Sequence, residues 1–128
     1  MIKKEKILLY IDTDEKAAQT VREVSCEDSR NIKVVYAENG QDGLDIAREI
    51  LPDLVIIKRN VPMLDALSFS VLFRQTKRTA SIPVIVMCQQ DVTEEEYTNL
   101  IDAGCSGCMQ SPIDREELAA IIKKWIKL

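Results

Sequence analysis

The side chains that could do chemistry in this 128-residue chain are carboxylates, lysines and thiols, because histidine is absent. Imidazole acid–base catalysis and histidine-ligated metal sites are therefore excluded. Asp12 and Asp14 directly follow the apolar run Ile7–Ile11, and carboxylates are ligands that hard cations prefer. Lys58 directly follows a second apolar run, residues 54–57. The two acids are candidates for a cation site, and Lys58 needs a counter-charge.

The four cysteines offer a second kind of chemistry. Cys105 and Cys108 are separated by two residues, a spacing that supports redox chemistry in thioredoxin-like proteins. Here the pair lies on the loop before a short strand-like segment, and no second pair or histidine completes a zinc site. We expect Cys26, Cys88, Cys105 and Cys108 to be small buried residues without a disulfide framework. A thiol-based redox sensor using Cys105 and Cys108 is an alternative.

Composition describes one ordinary globular domain, which we expect to span residues 1–128. The chain is 46% hydrophobic and 30% charged, with a net charge of −4. No basic surface indicates nucleic acid, and no apolar run is long enough to cross a membrane. The first residues do not resemble a signal peptide. We therefore expect a cytoplasmic protein that binds neither nucleic acid nor membrane.

Strand-like and helix-like segments alternate along the chain, which is typical of βα units. The expected strands are Ile7–Ile11, Lys33–Ala37, Leu54–Ile57, Val84–Cys88 and Cys108–Gln110. The continuous apolar run Leu54–Ile57 is typical of a strand covered on both faces in a parallel sheet. Thr93 and Glu96 predict a capping box, and Gly104 predicts the end of that helix. The pattern predicts an α/β fold of five βα units with helices on both faces of a parallel sheet.

In open sheets of this kind the functional site lies beyond the carboxyl ends of the strands. That rule selects the segments Asp12–Asp14, Lys58–Asn60, Cys88–Gln89 and Ser111–Pro112. These segments follow the first, third, fourth and fifth expected strands. The charged, thiol and hydroxyl groups are therefore expected to meet at one edge.

Several motifs, in this order and at these spacings, resemble the receiver domains of bacterial response regulators, the CheY-like family. The motifs are residues 37–44 (AENGQDGL), 52–57 (PDLVII), 61–65 (VPMLD), 82–85 (IPVI), and Ala103-Gly104 leading to Ser111-Pro112. Each motif alone is weak, and together they cover nearly the whole chain. The resemblance implies a flavodoxin-like strand order, 2-1-3-4-5, and a role in two-component phosphorelay signal transduction.

The resemblance also implies a pocket of five residues, most of which this chain lacks. In such receivers two acids after the first strand hold Mg²⁺, an aspartate after the third strand accepts the phosphoryl group, and a hydroxyl and a lysine bind its oxygens. Metal and ammonium neutralise the charge of the transferring group. Carried over by position, the first acid is Asp12, Thr13 replaces the second acid, and Lys58 replaces the acceptor. Cys88 replaces the hydroxyl, and Ser111 replaces the lysine.

Three further positions complete the comparison with the family. Asn60 matches the residue whose carbonyl helps to hold the metal, and Gln89 stands where a small residue is usual. Cys108 replaces the aromatic residue that, with the position of Cys88, reports phosphorylation. A thiol is too small to move as that aromatic ring does, so we expect the usual switch to be disabled.

These substitutions predict a degenerate pseudo-receiver that is not an enzyme and holds no cofactor. We expect Lys58 to pair with Asp12, because a charge at the end of a buried strand needs a partner, and Mg²⁺ binding to be weak or absent. The alternative for Lys58 is that its ammonium reaches solvent. The alternative for the pocket is phosphorylation on another carboxylate, Asp12 or Asp14.

If the phosphoacceptor pocket is disabled, we expect the function to lie on a surface of the domain. In the resembled family the fourth helix, fifth strand and fifth helix form the output face. By position this face carries Tyr97, Ile101, Cys108 and Met109. We expect it to bind a signalling protein or an output domain, or a second copy of the chain in a homodimer.

Overall fold

Five parallel strands form one sheet in the computed structural model, which describes residues 5–127. The strands are β1 (Lys6–Ile11), β2 (Ile32–Ala37), β3 (Leu54–Lys58), β4 (Val84–Cys88) and β5 (Gly107–Gln110). Their order is β2-β1-β3-β4-β5. The structure confirms the predicted architecture and strand order, and each strand lies within a residue of its expected position.

Five helices cover both faces of the sheet. They are α1 (Glu15–Cys26), α2 (Gly40–Ile50), α3 (Ala66–Gln75), α4 (Glu94–Ala103) and α5 (Arg115–Trp125). The predicted capping box of α4 is confirmed, because Thr93 and Glu96 exchange side-chain and backbone hydrogen bonds. Gly104 ends the same helix with a φ of 114°, a left-handed conformation that glycine adopts at little cost. No helix among residues 5–127 is long and apolar enough to span a membrane.

Alternating side chains of the central strands build two cores, one on each face of the sheet. One core lies under α2, α3 and α4 and includes Ile57, Phe69 and Leu100. The other lies under α1 and α5 and includes Tyr10 and Leu118. Because β1, β3 and β4 contribute to both cores, their carboxyl ends are fixed relative to one another.

A half-buried arginine holds the loops at the opposite, amino-terminal edge of β4 and β5. The Arg74 guanidinium donates to the carbonyls of Ile82 and Gly104 at 2.7 and 2.8 Å. It also donates to the carbonyl of Ala80 and the hydroxyl of Ser106. One side chain of α3 therefore ties together the loops that precede both strands.

Candidate functional site

The residues selected from the sequence come together at the carboxyl edge of the sheet. Asp12 follows β1, Lys58 ends β3 beside Met87, and Cys88 ends β4. Ser111 follows β5, and its N–H donates to the Cys88 carbonyl at 2.8 Å. Four neighbouring strands therefore form this edge, in agreement with the expectation that the functional site of an open parallel sheet lies beyond the carboxyl ends of its strands.

Asp12 is nearly buried and is already bound by donors of its own strand and loop. Its carboxylate accepts from the Tyr10 hydroxyl at 2.7 Å, from the Thr13 N–H at 2.7 Å and from the Asp14 N–H at 3.3 Å. Tyr10 is 1% exposed, and burial, reinforced by the hydrogen bond to Asp12, raises its pKa. The phenol is therefore a hydrogen-bond donor to Asp12 at neutral pH.

Lys58 does not pair with Asp12, so that expectation is wrong. Among residues 5–127, no carboxylate lies within salt-bridge distance of the Lys58 ammonium. The Asp12 oxygens are occupied by neutral donors, and Lys58 is only partly buried. An ammonium that keeps contact with water needs no buried counter-charge, which agrees with the alternative drawn from the sequence.

A small cavity of about 110 Å³ opens between the ends of β3 and β4. It is lined by Lys58, Arg59, Asn60, Met87, Gln89 and Asp91. Asn60 and Gln89 are exposed at its rim. The cavity therefore has two cationic side chains among its walls.

Arg59 was not singled out in the sequence, and it connects this edge to α4. Its guanidinium bonds the Glu96 carboxylate. The Thr93 N–H and the Arg59 guanidinium together lower the pKa of Glu96 to about 2. A charged residue beside Lys58 was visible in the sequence, but its partner lies 37 positions further along the chain.

The residues present do not fit the Mg²⁺ ion that the fold family implies. Asp12 is engaged by three donors, Thr13 supplies no carboxylate, and Asp14 accepts from the N–H groups of Lys16 and Ala17 as the cap of α1. In the described part of the chain, no group of three or more acidic or thiol side chains is arranged to hold a metal.

Three of the four cysteines form a cluster on the α4 side of the sheet. Cys88 and Cys105 are 2% and 6% exposed, and Cys108 packs against the same core. Cys26 departs from expectation, because it lies exposed at the end of α1. All four are free thiols. The expected burial is confirmed for Cys88 and Cys105, whereas Cys108 is only partly buried.

The expected interaction surface is narrower than the sequence indicated. Tyr97 and Ile101, one turn apart on α4, are 43% and 38% exposed. Met109 is 2% exposed because it packs beneath α5, so it supplies no surface, and Cys108 is only partly exposed. The alternation of β5 turns Met109 and Cys108 to opposite faces.

The chain belongs to the response regulator receiver domain family, whose sequence model matches residues 8–123. Receiver domains act in two-component signalling together with signalling proteins or output domains.

Similar proteins support this assignment. The chain is 29% identical to the response regulator Rre1 of Synechocystis and 32% identical to the uncharacterized transcriptional regulatory protein YkoG of Bacillus subtilis. These alignments cover 93% and 91% of this chain but 51% and 49% of the relatives. The chain therefore spans about half the length of the curated relatives it matches.

Solved structures show the same fold. A putative response regulator from Chloroflexus aurantiacus matches with a TM-score of 0.86 and 23% identity, over 96% of this chain and 98% of that one. The chemotaxis response regulator CheY4 of Vibrio cholerae matches with a TM-score of 0.82 and 17% identity, over 94% and 98%. The five strands and five helices are thus those of a CheY-like, flavodoxin-like receiver.

Proposed function

We propose that this receiver has lost the phosphoacceptor aspartate and acts as a phosphorylation-independent protein interaction module. One observation carries the proposal: Lys58 ends β3 and lines the cavity at the carboxyl edge, where the family resemblance puts the acceptor. An ammonium forms no acyl phosphate, and it repels the cation that would otherwise assist the transfer.

The surroundings of Lys58 support the same proposal. The Asp12 oxygens are engaged by the chain's own donors, and Asp14 caps α1. Neither carboxylate is free to accept a phosphoryl group without giving up hydrogen bonds. Phosphorylation on Asp12 or Asp14 is therefore the less favoured function.

The test is an amide NMR titration of the protein with Mg²⁺ and then beryllofluoride, which imitates a phosphoryl group. We expect no saturable shifts at residues 12–14, 58–60, 88–89 and 111. A variant carrying Thr13→Asp, Lys58→Asp, Cys88→Thr and Ser111→Lys is the positive control, because it restores the family's side chains on the same backbone. Saturable shifts in the unmodified protein would overturn the proposal.

The alternative acceptors are tested in the same samples. Incubation with acetyl phosphate and intact-mass measurement would detect an added phosphoryl group. We expect none. A phosphoryl adduct that disappears in Asp12→Asn or Asp14→Asn would show that a displaced carboxylate does the chemistry.

We assign the interaction to the exposed α4 face around Tyr97 and Ile101, where a signalling protein, an output domain or a second copy would bind. Sedimentation velocity over a concentration series tests the second copy directly. If the chain dimerises there, Tyr97→Ser weakens the dimer. Tyr36→Ser is the matched control, because Tyr36 is 40% exposed at the far edge of the sheet. Equal weakening by both variants would contradict the assignment.

A further inference from the structure

The position of α4 on the sheet depends on few apolar contacts. Leu100 is the only residue of α4 that is buried, whereas α2 and α3 each bury four residues. Burial of apolar side chains is the main force that fixes a helix on a sheet. The polar contacts at the two ends of α4 therefore have a large share in setting its position.

An arginine holds each end of α4. At the carboxyl-terminal end, the Arg74 guanidinium donates to the Gly104 carbonyl at 2.8 Å. At the amino-terminal end, the Arg59 guanidinium bonds the Glu96 carboxylate. Glu96 lies in the first turn of the helix, and its other carboxylate oxygen accepts from the Thr93 N–H at 3.0 Å. The Arg59–Glu96 ion pair therefore joins the end of β3 to the first turn of α4.

Two cavities flank the Arg59 side chain, so the amino-terminal end of α4 is not closely packed against β3. One is the cavity of about 110 Å³ between the ends of β3 and β4. The other, of about 120 Å³, lies on the α3 side and is lined by Leu67, Glu96 and Asn99 among others. Arg59 and Asn60 line both cavities. Opening of the ion pair therefore leaves room for the first turn of α4 to move.

We propose that the Arg59–Glu96 ion pair is a latch, which holds the amino-terminal end of α4 against β3 and so fixes the face that carries Tyr97 and Ile101. When the pair opens, that end of α4 moves, while the Arg74 guanidinium keeps the other end in place. Tyr97 directly follows Glu96, so the exposed face moves with the first turn. The inference rests on the proposed docking function for the role of this face. It makes a non-covalent contact, in place of a phosphoryl group, the element that decides how α4 is presented.

Amide hydrogen exchange of the full chain, followed by NMR, measures how often α4 opens. Arg59→Gln removes the guanidinium and leaves the capping box of α4 whole. Glu96→Gln removes the charge but keeps an oxygen that accepts from the Thr93 N–H. We expect each substitution to speed the exchange of residues 97–103 about two- to fivefold. We expect the double variant to exchange no faster than either single variant, because both substitutions remove the same contact.

Two comparisons separate the latch from a general effect of charge. Arg115→Gln breaks the exposed ion pairs that join α5 to Glu23 and Glu27, so we expect it to leave the exchange of α4 unchanged. The side chains of Arg59 and Glu96 are 29% and 39% exposed, so salt screens their attraction. Raising the ionic strength from about 0.1 M to about 1 M shortens the Debye length from about 10 Å to about 3 Å. We expect this change to speed the exchange of α4 relative to β3 in the unmodified protein but not in Arg59→Gln.

Several results would overturn the proposal. These are α4 exchange in both variants that equals that of the unmodified protein, additive effects of the two substitutions, and an equal speed-up of β1 and β3, which indicates a loss of global stability. Exchange of α4 that does not respond to salt in the unmodified protein also contradicts the latch, so the test remains decisive if a variant fails to fold. The samples contain no metal, phosphate or partner. A failure of the latch is therefore distinguishable from a failure of the proposed docking function.

Discussion

Replacing Tyr10 by phenylalanine removes the hydroxyl that donates to the nearly buried Asp12 carboxylate. The bond is 2.7 Å long, and its two partners are 1% and 8% exposed, so water does not readily replace the lost donor. The ring itself stays in the core with its shape unchanged. The substitution therefore isolates one hydrogen bond at the candidate site.

The expected cost follows from the charge and burial of the partners. A hydrogen bond to a charged group contributes about 1.5–3 kcal/mol to stability. Asp12 keeps two backbone N–H donors, which favours the lower half of that range. We expect the free energy of unfolding to fall by about 2 kcal/mol and the melting temperature by roughly 5–10 °C.

Urea unfolding followed by circular dichroism measures this difference. Tyr36→Phe is the matched control, because the Tyr36 hydroxyl donates to the Ala18 carbonyl at 3.4 Å from an exposed position. We expect it to cost less than about 0.5 kcal/mol. A double-mutant cycle with Asp12→Asn assigns the energy to the pair. A Tyr10→Phe cost equal to that of Tyr36→Phe would refute the reasoning that Asp12 depends on Tyr10.

Three further outcomes can be checked by the same unfolding measurements. Arg74→Lys should cost about 2–4 kcal/mol, because one ammonium cannot replace a guanidinium that bonds several loop carbonyls, and a loss below about 0.5 kcal/mol would contradict this role of Arg74. Gly104→Ala should lower the free energy of unfolding by more than about 1 kcal/mol, because φ is 114° and the new Cβ would lie 2.5 Å from the Arg74 Cγ. Gly107→Ala is the control, because its new Cβ would lie 3.4 Å from the Ile85 side chain. Glu96→Gln should weaken the loss of stability in acid. The pKa of Glu96 is lowered from 4.5 to about 2 in the folded protein, so its contribution to the free energy of unfolding is present above pH 4.5 and is lost as the pH falls towards 2. An unchanged acid profile would show that Glu96 contributes nothing.

The fold could be predicted because its determinants are local. The continuous apolar run at residues 54–57 predicted a strand buried on both faces, and it is the central strand of the sheet. The apolar run at residues 84–88 predicted the neighbouring strand, which is also buried throughout. Thr93, Glu96 and Gly104 predicted the ends of α4, because caps involve residues only a few positions apart.

The partners at the site could not be predicted in the same way. Tyr10 binds Asp12 because Asp12 directly follows β1 and is two residues from Tyr10, a spacing that puts extended residues on the same face. This signal was present in the sequence, but the expectation that Lys58 and Asp12 would pair as opposite charges outweighed it. Arg59 finds Glu96 only because α4 packs beside the end of β3. Such contacts depend on how a helix is placed on the sheet, and the hydrophobic pattern does not encode that placement.

The sequence by itself determined the order of strands and helices along the chain and the edge where Asp12, Lys58 and Cys88 gather. These follow from periodicity and from spacing along one chain. The tertiary structure alone decided that Lys58 stays unpaired within the described chain, that Met109 is buried, and that three cysteines meet in one cluster. The reason is physical: hydrogen bonds and thiol contacts depend on distances of a few ångströms between distant residues, which strand register and helix packing set.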